Sequence, residues 1–234
     1  MGIFISLEIV FLAMLTYCLF QLPAGIFSIF YHYASGKSSS RKADGLSIYY
    51  ILGVELFLSV IFLLLYLIFS YLFINIGPFT STIFPWVLVG IFLALSIASF
   101  FFYFRKGAGT ELFISRKLAN RISANAKNVK TSSDALVLGF TASIPELIFT
   151  FPLFAATAIV LANTTEVPRP LFVLLYIVIA ISPLFFYHHL FHTGHNLAEI
   201  QRSRVKNETF YRIAICIGFL LLALTMFNLG FYYG

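Results

Sequence analysis

The sequence predicts an all-α integral membrane protein: six transmembrane helices arranged as two inverted three-helix repeats. Three observations lead there. The 234-residue chain is 60% hydrophobic and only 10% charged, whereas a soluble domain carries about a quarter charged residues. Its apolar residues gather in segments long enough to be helical spans. Its basic residues gather in alternate connections between those segments.

A hydrocarbon core about 30 Å thick takes roughly 20 apolar residues per helical span. The first span is expected at Phe4–Tyr33, with Pro23 and Gly25 inside it, and the second at Leu46–Ile74. The third is expected at Phe84–Phe104. The fourth covers Ala135–Ala162 with Pro145 and Pro152, the fifth Leu171–Leu190 with Pro183, and the sixth Phe210–Tyr233. These segments are far longer than the roughly 10-residue alternating strands of an outer-membrane barrel. The connections are short and leave no room for a second soluble domain. Residues 1–104 form the first repeat, 105–134 a basic linker, and 135–234 the second repeat. The first apolar segment is too long for a cleaved signal peptide and lacks its basic start, so it is expected to be retained.

Orientation follows from the Lys and Arg residues. The first connection holds Lys37, Arg41 and Lys42, and the third holds seven, from Arg105 to Lys130. Arg202, Arg204, Lys206 and Arg212 surround the fifth. Fourteen of the fifteen basic residues thus fall on one side, with Arg169 the exception. The positive-inside rule puts that side in the cytoplasm of an inner (plasma) membrane, with both termini outside. The net charge of +6 is therefore read as loop charge facing the lipid bilayer, with no nucleic-acid partner. Within the linker, Glu111–Ala126 is weakly amphipathic. Leu112, Ile114, Leu118 and Ile122 are expected on the membrane surface, with Arg116, Lys117 and Arg121 toward headgroups. A solvated basic linker is the alternative.

Three spans per half make the halves inverted relative to each other, as in many transporters. Leu22-Pro23-Ala24-Gly25-Ile26-Phe27-Ser28 in the first span resembles Ile144-Pro145-Glu146-Leu147-Ile148-Phe149-Thr150 in the fourth. Proline removes a backbone donor and clashes with the preceding turn. Broken backbone at membrane depth survives only when buried or lining a cavity, so paired breaks in matching spans point to a transport site.

Three carboxylates fall inside apolar spans: Glu8, Glu55 and Glu146. Glu146 follows Pro145 directly, about 17 Å into its span at 1.5 Å per residue. An acid at that depth is a functional candidate and a proton carrier, or else a protonated group bonded to a neighbouring helix. Gly53 permits close helix approach beside Glu55, whose role is read equally as functional or structural. Glu8, near the outer end, is expected to reach water. His188, His192 and His195 share a helical face with metal-ligand spacing, near the cytoplasmic boundary, where His also serves as an interfacial polar residue. Cys18 and Cys216 form no CxxC pair. Phosphate loops, nucleophile elbows and HExxH are absent, so neither enzymatic chemistry nor a cofactor is expected.

With these residues laid out, the chain resembles the lysine exporter (LysE) superfamily of small six-span exporters. Leu22-Pro23-Ala24-Gly25, then Gly36 to Arg41, then Gly53 follow the order of that family's first half. Gly139-Phe140-Thr141-Ala142-Ser143-Ile144-Pro145-Glu146-Leu147-Ile148-Phe149 has the outline of the element opening its second half, and Arg202 to Arg212 precede the last span as its basic residues do. Pro-Ala-Gly stands where the family has Pro-Gly-Pro, and Ile144-Pro145-Glu146 where it has Asn-Pro-Lys. The resemblance implies a secondary exporter, and Glu in place of Lys suits a cationic solute, a metal ion or a proton. The expected function is proton-coupled export of a small solute (amino acid, organic cation or metal ion) through a site of Pro23, Gly25, Glu55, Pro145 and Glu146. The alternatives are a membrane metal-binding protein or metalloenzyme using the histidines, and a non-transporting accessory subunit. Homo-oligomerisation is left open.

Overall fold

A computed structural model describes residues 3–20, 37–76, 78–102, 116–163, 169–193 and 206–233. Among them all regular structure is helical: α1 (Ile3–Phe20), α2 (Lys37–Ile76), α3 (Pro78–Phe102), α4 (Arg116–Lys127) and α5 (Ser132–Ala142). A 3₁₀ turn at Ile144–Glu146 follows, then α6 (Leu147–Asn163), α7 (Arg169–His192) and α8 (Glu208–Tyr233). Three segments are long and apolar enough to cross a membrane: Lys42–Asn75, Ile83–Phe101 and Thr209–Phe231. Helices α5 and α6 meet at a 79° bend and make a fourth if they form one span. Ile5–Leu19 is a shorter apolar helix.

The outward faces suit hydrocarbon. Leu63, Leu67, Ile97, Leu224 and Phe231 are among many large apolar side chains more than half exposed, far beyond the apolar patches of a soluble monomer.

Helix starts differ from the sequence expectation in two places. Helix α2 begins at Lys37, ahead of the expected Leu46, and its 40 residues run about 60 Å at 1.5 Å per residue. Nothing before the apolar stretch stops it: Gly45 is the one weak former there, and the space around it is open. Helix α3 starts at Pro78 rather than Phe84, because proline's fixed φ suits a first helical position.

Close packing rests on small residues. Helices α3 and α8 pair most extensively, and α2 pairs next most extensively with α5. At the α2–α5 crossing, a Cβ on Gly53 would overlap the Leu136 carbonyl, and one on Gly139 would overlap the Tyr50 carbonyl. The two backbones touch there, as Gly53 led us to expect. Gly218 of α8 receives the Thr16 side chain of α1. Ser96 of α3 donates to the Cys216 carbonyl of α8 at 3.1 Å. Helix α6 lies at the centre: every residue from Phe149 to Leu161 is buried except Phe151. It touches α1, α2 and α3, and Ala155, Ala156 and Ala158 let those neighbours in.

Helix α4 confirms an amphipathic element in the linker but corrects its placement. Ile122, expected against lipid, packs with Val129 and the buried Ala126 on the protein core. Just after α4, Thr131 and Asp134 form a capping box that starts α5: the Asp134 amide donates to Thr131 Oγ1 at 3.2 Å. In return the Thr131 amide donates to Asp134 Oδ2 at 3.0 Å.

Two expectations follow. Gly139→Ala should lower the thermal midpoint in detergent, because overpacking costs about 1–3 kcal/mol. Gly45→Ala should raise it, since a helical Gly in open space costs roughly 0.8–1 kcal/mol relative to Ala. The Thr131 hydroxyl, then the Thr131 and Lys130 amides, hold the Asp134 carboxyl below the usual carboxylate range, ahead of the apolar stretch beginning at Ala135. The cap is therefore fully formed above the ordinary carboxylate pKa and is lost as pH falls through the lowered folded value. An NMR titration should place Asp134 below about 3.9, and Thr131→Ala should move it upward.

Candidate functional site

The break between α5 and α6 is built from residues that answer for its backbone. Pro145 brings no N–H, and it sits in the middle of the 3₁₀ turn Ile144–Glu146. Ser143, fully buried, donates to the Gly139 carbonyl in the last turn of α5 at 3.0 Å. Thr141 Oγ1 donates to the Val137 carbonyl at 2.9 Å. Of these, the Gly139 carbonyl is among the last four of α5, which lack the usual intrahelical partner, and it is met by the Ser143 hydroxyl. Beyond the turn, Thr150 and Thr157 are both fully buried and lie seven residues apart on one side of α6. Pro152, the other proline inside the expected fourth span, lies within α6.

Further along α6, Phe154 anchors an aromatic cluster drawn from four helices. Its ring centroid lies 6.0 Å from Tyr17 of α1, 6.0 Å from Phe62 of α2 and 5.4 Å from Tyr176 of α7. Phe62 and Tyr176 stack at 5.1 Å. All four side chains are buried, so rings fill the space between these helices. Clefts open elsewhere. One of about 310 Å³ lies between α1 and α8, lined by Leu12, Thr16, Ile213 and Gly218. Another of about 380 Å³ lies between α4 and α5, beside Asn125, Asn128, Ser133 and Asp134.

Glu55 stands two residues past Gly53 on α2, about 200° around the helix from the glycine face that meets α5. Ser59 donates to its Oε1 at 3.1 Å. Its Oε2 is shielded and has no hydrogen-bond partner among the described residues. A half-buried carboxylate with one oxygen unanswered is suited to exchange a proton or receive a cation. Pro145 lies in the turn between α5 and α6, and α2 packs on both of these helices. Glu146 closes the 3₁₀ turn by its backbone, and its side chain lies outside the described residues. Pro23 and Gly25 also lie outside them. Glu8 is exposed on α1.

At the opposite end of α7 the histidines meet an acid. His192 Nδ1 lies 3.1 Å from Asp44 Oδ2 of α2, and His188 stacks on His192 at 6.4 Å between centroids. His195 falls outside the described residues. Among those residues no three His, Cys, Asp or Glu side chains assemble as metal ligands. Neither Cys18 nor Cys216 is in a disulfide.

Sequence reasoning missed Asp44 and the aromatic cluster. Asp44 carried a signal: it is the lone acid of the first connection, expected on the same membrane side as the histidines. The cluster carried none, because 29 Phe and 13 Tyr give no hint of which rings meet.

No family model, no curated protein and no solved structure matches this chain.

Removing the hub of the cluster should be costly. Phe154→Ala should destabilise the protein by about 3–5 kcal/mol, the range for emptying a buried aromatic site. Phe231→Ala, at a ring 70% exposed, should leave the thermal midpoint in detergent nearly unchanged.

Proposed function

We propose that this chain is a secondary transporter, a proton-coupled exporter of a small solute, built from six spans in two inverted repeats. The observation that carries the reading is the 79° break of α5 and α6 at Pro145, next to Glu146 and beside the α2 helix that bears Glu55. Breaks of this kind in transporters place backbone and charge at the substrate. The packing is in keeping with a repeat: α1 touches α6, α2 touches α7, and α3 runs along α8. Each of these pairs joins an element of the first half to one at the same place in the order of the second, although α2 packs more extensively on α5 and α6.

In this mechanism Glu146, with Glu55, alternates between a protonated state and a substrate-bound state. The closed aromatic cluster of Tyr17, Phe62, Phe154 and Tyr176 blocks a water path between the four helices, as a coupled transporter needs while its site faces neither side. An acid in place of the family's Lys favours a cationic substrate, whether organic cation or metal ion, over a free amino acid. Resemblance to the lysine exporters supports the layout and the direction of transport.

A thermal-shift screen of the detergent-purified chain against L-lysine, tetraethylammonium and Mn²⁺ identifies the class. A ligand at 100 times its Kd should stabilise by about 2.7 kcal/mol. In proteoliposomes under a pH gradient, Glu146→Gln should abolish flux of that ligand while leaving the melting curve in place. Wild-type flux in Glu146→Gln would remove the carboxylate from the mechanism. A response to metal alone, lost in His192→Ala, would favour the metal-binding alternative.

A further inference from the structure

Helix α4 presents an unusual combination of one committed face and one charged face. From Arg116 to Lys130 the chain carries Arg116, Lys117, Arg121, Lys127 and Lys130 and no acid. Ile122, Ala126 and Val129, spaced to share one side, pack on the hydrophobic core, where α4 meets α5. Arg121, Lys127 and Lys130 are exposed. Only residues 128–131 separate α4 from α5, a reach of at most about 14 Å. The apolar stretch of the broken span begins at Ala135, so the cations are tethered at its mouth.

We propose that α4 is a docking surface for the anionic headgroups of phospholipids in the leaflet where α5 begins. Charge complementarity selects the occupant: a polybasic helix held beside a membrane-entering helix lies within the surface potential of an anionic leaflet. Ile122, Ala126 and Val129 are taken up by the bundle, so the attraction proposed is electrostatic and not an insertion into acyl chains. Through Ile122, Ala126 and Val129, a headgroup bound to α4 bears on α5, and α5 leads directly to the break at Ser143–Glu146. Lipid charge then biases the position of the broken span. The inference does not depend on what the span transports.

Hydrogen exchange of the full chain in nanodiscs tests it, with pure phosphatidylcholine compared against a mixture containing one-third phosphatidylglycerol. At about 0.1 M salt, where screening reaches about 10 Å, the anionic discs should slow exchange of the α4 and early α5 amides by about tenfold. That protection should disappear at 1 M salt, where screening shortens to about 3 Å. It should also disappear in the R116Q/K117Q/R121Q/K127Q variant, with α3 exchange unchanged as the sign of an intact fold. Equal exchange in both lipids would overturn the proposal. Protection that survives 1 M salt would overturn it as well, since that result marks apolar insertion. The salt comparison uses the wild-type chain, so a variant that fails to fold leaves the test intact.

Discussion

In hydrocarbon every backbone N–H and C=O must find its partner inside the protein, and a broken helix leaves several without their usual one. The turn at Ile144–Glu146 is such a break, and much of the surrounding structure answers it. Ser143 and Thr141 supply hydroxyls to carbonyls of α5. Pro145 removes one donor that would otherwise need an acceptor. Helix α5 is held against α2 by direct backbone contact at Gly53 and Gly139, which keeps side chains out of the seam. Helix α6 then passes through the middle of the bundle, buried along nearly its whole length.

Burial of α6 has consequences for the rest of the molecule. Alanines on α6 let α1, α2 and α3 approach it, while Phe154 meets rings from α1, α2 and α7. On the outside, the same helices turn large apolar residues outward, where lipid covers them at no cost in exposed hydrocarbon. Several hydroxyls lie in the interior, among them Ser47, Ser99, Thr150 and Thr157. The half-buried Glu55 differs from them. An acid with one shielded oxygen that has no hydrogen-bond partner among the described residues is a functional candidate, and this is why it belongs to the proposed site with Glu146.

Much of this was legible in the sequence. Apolar run length set out the helices, and the loss of a donor at Pro145 located the break. Gly53 announced a backbone contact, though its partner Gly139 stood out only as part of a family-like motif. Other features were hidden for identifiable reasons. Pro152 looks like Pro145 in sequence, but it falls near the start of α6, and the helix carries on through it. Lys37 to Asp44 are polar and read as a loop, yet α2 runs through them, because charge does not stop a helix in water. The apolar side of α4 matches lipid and protein equally well, and only packing distinguishes the two. Meeting of Asp44 with His192 depends on how α2 and α7 lie together, which no local pattern encodes.

Everything proposed here depends on α5 and α6 forming one span, so that the basic connections share one side of the membrane. Single cysteines at Asn128→Cys, Thr165→Cys and Lys206→Cys, in a chain with Cys18 and Cys216 replaced by serine, test this in intact cells with a membrane-impermeant thiol reagent. The account predicts that position 165 is labelled from outside and that positions 128 and 206 are labelled only after the cytoplasmic face is opened. Labelling of 128 and 206 from opposite sides would mean that the bent pair turns back without crossing. That result would contradict both the inverted repeat and the transport site placed at its break.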